Sequence, residues 1–544
     1  MTAAGWWLPG ETSPETGGEA LRSAIFDVMK PMVVVSSDGH PAVATGGRTM
    51  LCDAGPRDAA ALPLIAYVPP LHPAALGDPD FRRENGLAYA YVAGAMANGI
   101  TSVEMVEAVG RAGMLGFFGA AGLSIDAIAA AVDELQHRLA DRPFGVNLIH
   151  SPSEPDHEAA TVALFLRKGV RLISASAFLG LTLPLLHYRL KGIHRDAEGR
   201  VVCPNRVVAK VSRMEVAEKF LSPAPEKMLA KLVAAGKIHS AEAELARFVP
   251  VADSLTAEAD SGGHTDNRPA LALLPTLMAV RDQMVEKHGF DIPIHVGLGG
   301  GIATPESTAA AFAMGAAFVV TGSVNQACLE AGTSAQVRRM LAEARQADVA
   351  MAPAADMFEM GVKVQVLKRG TMFALRAAKL YDLYSRYDRY EAIPAEQRAT
   401  LEKDFFRCGF DTAWERTRAF FDQRDPRQNR RAERDPKHKM ALVFRSYLGQ
   451  SSGWATTGDP SRQIDYQIWC GPAMGAFNEW TRGTFLAQPE NRRTVVVALN
   501  LMLGASVITR ANGLRNQGVS VPPSLVKCVP RTPSELSRIL DSTF

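Results

Sequence analysis

The chain has 544 residues, of which 47% are hydrophobic and 21% are charged, and this composition excludes a disordered or collagen-like chain. Lys plus Arg total 59 against 57 for Asp plus Glu, a formal net charge of +2, so no overall field favours nucleic-acid binding. The length predicts more than one domain, although a large barrel fills about half of it.

The first 80 residues predict a small β element. Their start lacks the basic segment and apolar core of a secretory signal. Residues 32–36 and 41–45 flank Ser37-Asp38-Gly39, which predicts a hairpin because Asp-Gly tolerates the positive φ of a type I′ turn. The proline-rich stretch 68–73 then predicts an extended linker.

From residue 87 the pattern alternates between short apolar strands and amphipathic helices. Helices are predicted at 102–112, 124–140 and 305–314, with a helical insert at 225–248. Eight strands are predicted, at residues 87–96, 114–118, 144–149, 170–174, 207–211, 249–257, 292–298 and 317–321. Eight such units in about 250 residues favour a (β/α)8 TIM barrel over an open doubly wound sheet, an α/β fold in either case.

After Cys328 the strand signal fades, and helices are predicted at 343–386, 396–422, 473–485 and 492–508. Residues 424–439 carry seven basic and three acidic residues without apolar periodicity, which predicts a loop or linker. The chain therefore divides into a β-containing element (1–80), a barrel (81–345) and a largely helical region with a tail (346–544).

The apolar runs at 87–96 and 495–508 are too short or too interrupted to cross a membrane. The six cysteines lie far apart without a Cys-x-x-Cys pair, which argues against a disulfide framework or a zinc site. We therefore expect a cytoplasmic protein with no membrane, nucleic-acid or metal partner.

Two glycine clusters at predicted strand ends indicate a phosphate site. Gly299-Gly300-Gly301 precedes a helix that begins near Pro305, and Gly322-Ser323 follows the next strand. Backbone N–H groups at such positions bind phosphate, and function in a barrel lies at the carboxyl ends of its strands. The alternative is that these glycines only form tight turns. Two clusters on successive strands favour the phosphate site over that alternative.

A third cluster, Gly262-Gly263-His264, follows the predicted sixth strand. Two glycines let the backbone approach a ligand closely, and a histidine there can donate, accept or transfer a proton near neutral pH. Histidines are more often structural, but this position favours a functional role.

Five motifs together resemble the FMN-dependent enoyl reductases and nitronate monooxygenases over about residues 85–330. They are Val92-Ala93-Gly94-Ala95-Met96, Pro143-Phe144-Gly145-Val146-Asn147, Gly262-Gly263-His264, Gly300-Gly301-Ile302 and Gly322-Ser323. The resemblance implies an FMN site at the barrel mouth. It implies that the phosphate binds to Gly300, Gly301, Gly322 and Ser323. The flavin ring would contact Gly94, Ala95 and Met96, and its pyrimidine edge would bond to Asn147. The backbone of Gly262 and Gly263 would also contact the cofactor.

Segments 258–269, 358–373 and 464–480 resemble more narrowly the PfaD-type trans-acting enoyl reductases of polyunsaturated fatty acid and polyketide synthases. This resemblance runs over nearly the whole chain. It implies reduction of 2-enoyl thioesters on an acyl carrier protein, with hydride passing from NADPH or NADH to FMN and then to the β-carbon. His264 would then act as the catalytic residue, donating a hydrogen bond to the enolate or a proton to the α-carbon.

Three assignments keep alternatives open. Lys210, inside an apolar strand, needs a partner, which is either the flavin's N1/O2 edge or an ordinary ion pair. Glu258, Asp260 or neither of them is the carboxylate that assists the flavin. The oligomeric state is also open, with a homodimer as one alternative.

Two further segments have a functional and a structural interpretation. Residues 424–439 either form a solvated linker or dock an acidic carrier protein. Residues 358–390, rich in aromatic residues and Met, either line an acyl pocket or form plain core.

The alternative enzyme function is nitronate monooxygenase activity. The alternative outside enzymes is a non-catalytic assembly component.

Overall fold

The computed structural model describes residues 5–51, 58, 60–150, 152 and 154–540. Its centre is a closed barrel of eight parallel strands. In barrel order from the first, these strands are Tyr91–Ala93, Leu115–Phe118, Gly145–Ile149, Leu172–Ser176, Arg206–Val211, Ser254–Glu258, His295–Gly299 and Val319–Thr321. Each overlaps a predicted strand, so the (β/α)8 prediction is confirmed.

Helices surround the barrel and form most of the chain after it. They are Gly18–Phe26, Pro79–Glu84, Val103–Arg111, Ile125–Leu139, Pro155–Lys168, Leu183–Leu190, Met214–Phe220, Glu226–Ala234, Ser240–Leu245, Ala270–His288, Pro305–Ala313, Ser323–Gln326, Ala335–Ala342, Phe373–Arg386, Ala395–Thr400, Phe410–Arg424, Pro426–Ala432, Pro436–Thr457, Ala473–Thr481, Thr494–Asn516 and Pro533–Leu540. A π-helical turn spans Leu401–Phe406.

The amino ends of the barrel strands are closed by the short helix Pro79–Glu84. Phe81 enters the barrel and stacks on Phe318, with ring centroids 4.3 Å apart. His295 lies within 3.1 Å of both Asp78 and Glu84. This end is packed shut, so a ligand must use the opposite end, where barrels carry their sites.

The N-terminal element is a six-stranded antiparallel sheet, larger than a simple hairpin. Its strands are Gly5–Leu8, Glu15–Thr16, Met32–Ser37, His40–Ala44, Arg48–Met50 and Leu62–Val68. The predicted hairpin turn is present, with φ of 51° at Asp38 and 79° at Gly39. Both central residues thus have the positive φ of a type I′ turn.

Two predictions for the region after the barrel are wrong. Residues 343–386 are not one helix, because Val349–Pro353 and Lys363–Leu367 pair as an antiparallel hairpin before the helix Phe373–Arg386 begins. We call residues 349–367 the covering hairpin. Its second strand also pairs with Gly263–His264, which brings it onto the barrel mouth.

Residues 424–439 are helical, not a linker. Asp425 accepts a hydrogen bond from the N–H of Arg427, and Asp435 accepts one from the N–H of His438. Each Asp caps a helix whose first residue is proline, which is the usual start signal. The prediction missed both helix starts because the segment is highly charged and lacks apolar periodicity.

The helix Thr494–Asn516 is long and apolar enough to span a bilayer, but 83% of its apolar window is buried in the protein. It packs between the N-terminal element and the barrel helix Pro305–Ala313. Cys203, Cys328, Cys408, Cys470 and Cys528 are free thiols, whereas Cys52 lies outside the described residues.

Candidate active site

The carboxyl ends of the barrel strands open into a main cavity of about 660 Å³, and a smaller cavity of about 90 Å³ adjoins it. Every residue predicted for the site lines one of the two: Gly94, Ala95, Met96, Asn147, Lys210, Gly262, Gly263, His264, Gly300, Gly301, Gly322 and Ser323. The structure thus brings all twelve together, and their roles stay predictions.

The smaller cavity contains the cradle, which we define as Gly300, Gly301, Gly322 and Ser323. A Cβ at Gly300 would lie 2.7 Å from the backbone of Ala259, and its φ is 90°, so the position requires glycine. A Cβ at Gly322 would meet no protein atom within 4 Å, so its absence leaves open space.

Residues from both sides support the cradle. Ser323 Oγ accepts a hydrogen bond of 3.0 Å from the N–H of Gly471, which lies far along the chain. The hydroxyl of Ser261, which also lines this cavity, is buried without a hydrogen-bond partner among the described residues. Glycine positions without side chains, backbone N–H groups and the unbonded Ser261 hydroxyl together suit a phosphate group.

The segment after the first barrel strand is held rigidly at the junction of the two cavities. The N–H of Gly94 donates to Thr321 O at 2.9 Å, and the Thr101 hydroxyl donates to Gly94 O at 2.7 Å. Thr101 Oγ1 also accepts from the N–H of Met96 at 2.9 Å. Backbone fixed in this way can position a planar ligand with little loss of entropy on binding.

Asn147 is buried at the end of the third barrel strand. Its side-chain oxygen accepts a hydrogen bond of 3.1 Å from the N–H of Ala121, and this contact orients the amide in the main cavity.

Lys210 and Glu258 form an ion pair across the fifth and sixth barrel strands. Glu258 is therefore the partner of Lys210 in the structure, and the two form an ordinary ion pair. Both side chains line both cavities. Asp260, by contrast, accepts hydrogen bonds from Asn267 and Gln365, so Glu258 is the carboxylate that reaches the site.

His264 Nε2 lies 3.1 Å from an Asp356 oxygen, and the two side chains are 31% and 30% exposed. Both line the main cavity. Burial lowers the pKa of His264, but the charge and hydrogen bond of Asp356, together with the charge of Glu258, set this pKa above its ordinary value. Burial alone would raise the pKa of Asp356, but the charge and hydrogen bond of His264 lower it below its ordinary value. The pair therefore favours an imidazolium next to a carboxylate, accessible from the cavity.

The covering hairpin positions this pair. His264 is paired with Val364 in the hairpin's second strand, and Asp356 lies in the loop between its strands. Arg445 donates to Ala355 O at 2.9 Å and contacts Glu359 at 3.3 Å, which fixes that loop. Asp356 is 92 residues from His264 along the chain, and no local sequence signal predicted their contact.

The outer wall of the main cavity comes from the helix Phe410–Arg424, which we call the mouth helix, and from Pro436–Thr457. Arg424 binds Glu154 of the barrel through two contacts of 3.0 and 2.9 Å. The mouth helix is thus tied to the barrel at the opening of the cavity.

Among the side chains of residues 358–390, Val364 lines the main cavity, but the four aromatic and Met residues predicted for an acyl pocket do not. Phe358 and Phe373 are fully buried in a separate core, and Met360 and Met372 are exposed elsewhere on the surface. None of the four lines either cavity, so the plain-core alternative holds for the two phenylalanines.

Comparisons with known proteins agree with this architecture. A family model described as nitronate monooxygenase matches residues 85–385. A second model, described as the inserted helical domain of acyl-carrier-protein S-malonyltransferase, matches residues 387–466. The two matches meet at the end of the helix Phe373–Arg386, so the mouth helix lies within the second match.

Two curated relatives are components of biosynthetic systems. The chain is 48% identical over 448 residues to one component of the polyunsaturated fatty acid synthase of Thraustochytrium sp., covering 81% of this chain and 30% of that protein. It is 45% identical over 434 residues to polyketide biosynthesis protein PksE of Bacillus subtilis, covering 80% of this chain and 56% of that protein. The chain thus spans only part of each relative.

A solved structure is similar over almost its full length. It is the enoyl reductase domain of MlnA from the macrolactin biosynthesis cluster of Bacillus amyloliquefaciens, 40% identical with a TM-score of 0.77. The match covers 81% of this chain and 99% of that domain. Since this match is nearly complete and the first family model spans more than half of the sequence, the chain belongs to the nitronate monooxygenase family, as its motifs predicted.

Proposed function

We propose that this chain is an FMN-dependent enoyl reductase that acts in trans on enoyl thioesters of a polyketide or polyunsaturated fatty acid synthase. The observation that carries the proposal is the His264–Asp356 pair, which places a histidine with a raised pKa inside a cavity of about 660 Å³ next to the cradle. Similarity to a domain named enoyl reductase supports the same reaction.

The residues present fit FMN. The cradle offers its backbone N–H groups and open space at Gly322 to the phosphate, with the Ser261 hydroxyl nearby. The rigid segment Gly94, Ala95 and Met96 lies where the two cavities join, so it suits the ring system. When bound, FMN would supply hydride taken from NADPH or NADH to the β-carbon of the thioester.

The chain's own contribution is to stabilise charge and deliver a proton. Hydride addition to the β-carbon moves negative charge onto the thioester oxygen. The His264 N–H can donate a hydrogen bond to that oxygen or give its proton to the α-carbon, and Asp356 stabilises the protonated ring for either role.

Lys210 adds a second positive charge at the junction of the cavities. Its ammonium carries three hydrogens, so its pairing with Glu258 leaves donors for a further negative atom. We assign this second acceptor to the negative edge of the bound flavin.

The proposed partner is an acyl carrier protein, because the relatives are named as parts of polyketide and polyunsaturated fatty acid biosynthesis. The expected compartment is the cytoplasm. We keep a homodimer as an alternative to the monomer.

The test is an absorption spectrum of the purified protein, followed by anaerobic reduction with NADPH or NADH and re-oxidation with crotonyl thioester. We expect a flavin spectrum that bleaches with a nicotinamide and returns with the thioester. A nitronate monooxygenase, the alternative that the family name favours, would instead need oxygen and a nitronate. A colourless protein that takes up no FMN would contradict both enzymes and favour a non-catalytic assembly component.

A further inference from the structure

We infer that the mouth helix carries a second phosphate-binding site, separate from the cradle, that holds the phosphate of an extended ligand whose reacting end lies at His264. The inference rests on the proposed function for the identity of the reacting end. The ligand class is a phosphate ester on a long flexible or dinucleotide arm.

The first observation is a row of side chains on one face of the mouth helix. Arg416, Phe420 and Arg424 are spaced four residues apart and all three line the main cavity. The row extends about 12 Å along the helix at a rise of about 1.5 Å per residue. The buried side chains Thr417 and Phe421 anchor the helix, and Phe421 also borders the cavity.

The second observation is the unequal pairing of the two arginines. Arg424 is occupied by Glu154 and lies 5.6 Å from the Phe420 ring centre. Arg416 is exposed and makes no ion pair with the residues that the structure describes. Arg416 is therefore the cation at this opening that is ready to bind an anion.

The third observation is the exposure of Phe420, which is 53%. A large apolar side chain at the rim of a cavity, between two arginines, suits a ligand with an apolar stretch next to its charge. A guanidinium is the side chain best matched to phosphate oxygens, because it can donate two parallel hydrogen bonds.

Two ligands of the proposed reaction contain this chemistry. One is the phosphopantetheine arm that carries the acyl thioester, and the other is the dinucleotide that delivers hydride. Both would need a positive charge away from the reacting atoms, at the outer wall of the cavity.

The experiment compares binding of 4′-phosphopantetheine, pantetheine, NADP⁺ and inorganic phosphate to the FMN-loaded full chain by calorimetry; the oxidised dinucleotide is used because it cannot reduce the flavin. We expect at least one of phosphopantetheine and NADP⁺ to bind about tenfold more weakly to the Arg416→Ala variant than to wild type. Arg416→Lys should recover part of the loss, and added salt should reduce the difference. The matched control is Arg418→Ala, on the same helix and exposed but not in the cavity wall.

The pattern of loss identifies the source of the phosphate. Weaker phosphopantetheine binding with unchanged pantetheine binding supports the carrier arm, whereas weaker NADP⁺ binding supports the dinucleotide. Unchanged affinities for both phosphate esters would overturn the inference. Because binding is measured without turnover, an enzyme that binds phosphopantetheine but reduces no enoyl thioester would contradict the proposed function and leave this site standing.

Discussion

The contact between His264 and Asp356 joins the barrel to the covering hairpin at the position where we place the substrate carbonyl. A lone histidine in a cavity would lose its proton more easily, because burial disfavours the charged ring. The carboxylate reverses this effect and raises the pKa of His264. The protonated donor is therefore present over a wider pH range.

This pairing predicts a pH effect for Asp356→Asn. Removing the carboxylate lowers the pKa of His264, so the loss of activity on raising the pH should begin at a lower pH than in wild type. We expect turnover at pH 8 to fall by about tenfold or more, with a smaller loss at pH 6. The measurement is kcat against pH.

The control for this variant is Asp388→Asn, which removes a carboxylate that is 93% exposed and bound to Lys437 away from the cavity. Its pH profile should match that of wild type. A profile for Asp356→Asn that also matched wild type would show that the carboxylate does not set the protonation of His264.

At the scale of elements, the barrel was predictable and the parts that cover it were not. Each barrel strand is a short apolar run followed by small residues or a helix cap, and these signals are local. The covering hairpin was missed because its strands VAMAP and KVQVL lie in an Ala- and Met-rich stretch that resembles a helix. Its strand pairing with Gly263–His264 depends on residues about 100 positions away, which no window of sequence contains.

The candidate site follows the same division. The glycines and His264 were predicted because each lies at the end of its own strand. The places of Asp356 and the mouth helix in the site were not predicted, although a helix was predicted at 396–422, because the fold alone brings them to the barrel. The Asp425-Pro426 and Asp435-Pro436 pairs were available as helix starts and were obscured by the surrounding charge.

The long helix Thr494–Asn516 supports the helix that follows the cradle. A Cβ at Gly504 would lie 2.6 Å from the Pro305 ring, so the two helices touch through glycine. Gly504→Ala should destabilise the protein by about 1–3 kcal/mol, because overpacking forces the helices apart. It should also weaken FMN binding, since Pro305 begins the helix next to Gly301.

Thermal unfolding and flavin content test this prediction, with Gly513→Ala on the same helix as the control. A Cβ there would meet only the Val68 side chain, at 3.3 Å. Equal stability and flavin content for Gly504→Ala and wild type would show that the helix contact does not support the cradle.

At the scale of the whole molecule, the N-terminal sheet is attached by a buried cation. Arg510 is 1% exposed and donates to the carbonyls of Ala24, Ile25 and Pro69, at 3.0, 3.3 and 2.8 Å. Three regions that are distant in sequence therefore meet at one guanidinium. We propose residues 1–80, 81–345 and 346–544 as the three parts that such contacts join.

Arg510→Met should lower the free energy of unfolding by about 3 kcal/mol, because it leaves buried carbonyl groups without donors. Limited proteolysis should then cleave the N-terminal element before the barrel. The control is Arg538→Met, which alters an exposed arginine whose side chain makes no hydrogen bond or ion pair with the residues that the structure describes, and it should leave both unchanged. If the Arg510→Met variant resisted unfolding and proteolysis as well as wild type does, the role of this cation would be contradicted.

The most direct test of the central claim is a single-turnover experiment without oxygen. The protein is reduced with NADPH and mixed with crotonyl thioester, and the return of the oxidised flavin spectrum is followed for wild type and His264→Ala. We predict rapid re-oxidation of wild type and a loss of about a hundredfold or more in the variant at equal FMN content. Re-oxidation of the variant at the wild-type rate, or no re-oxidation of wild type by the thioester, would contradict the account.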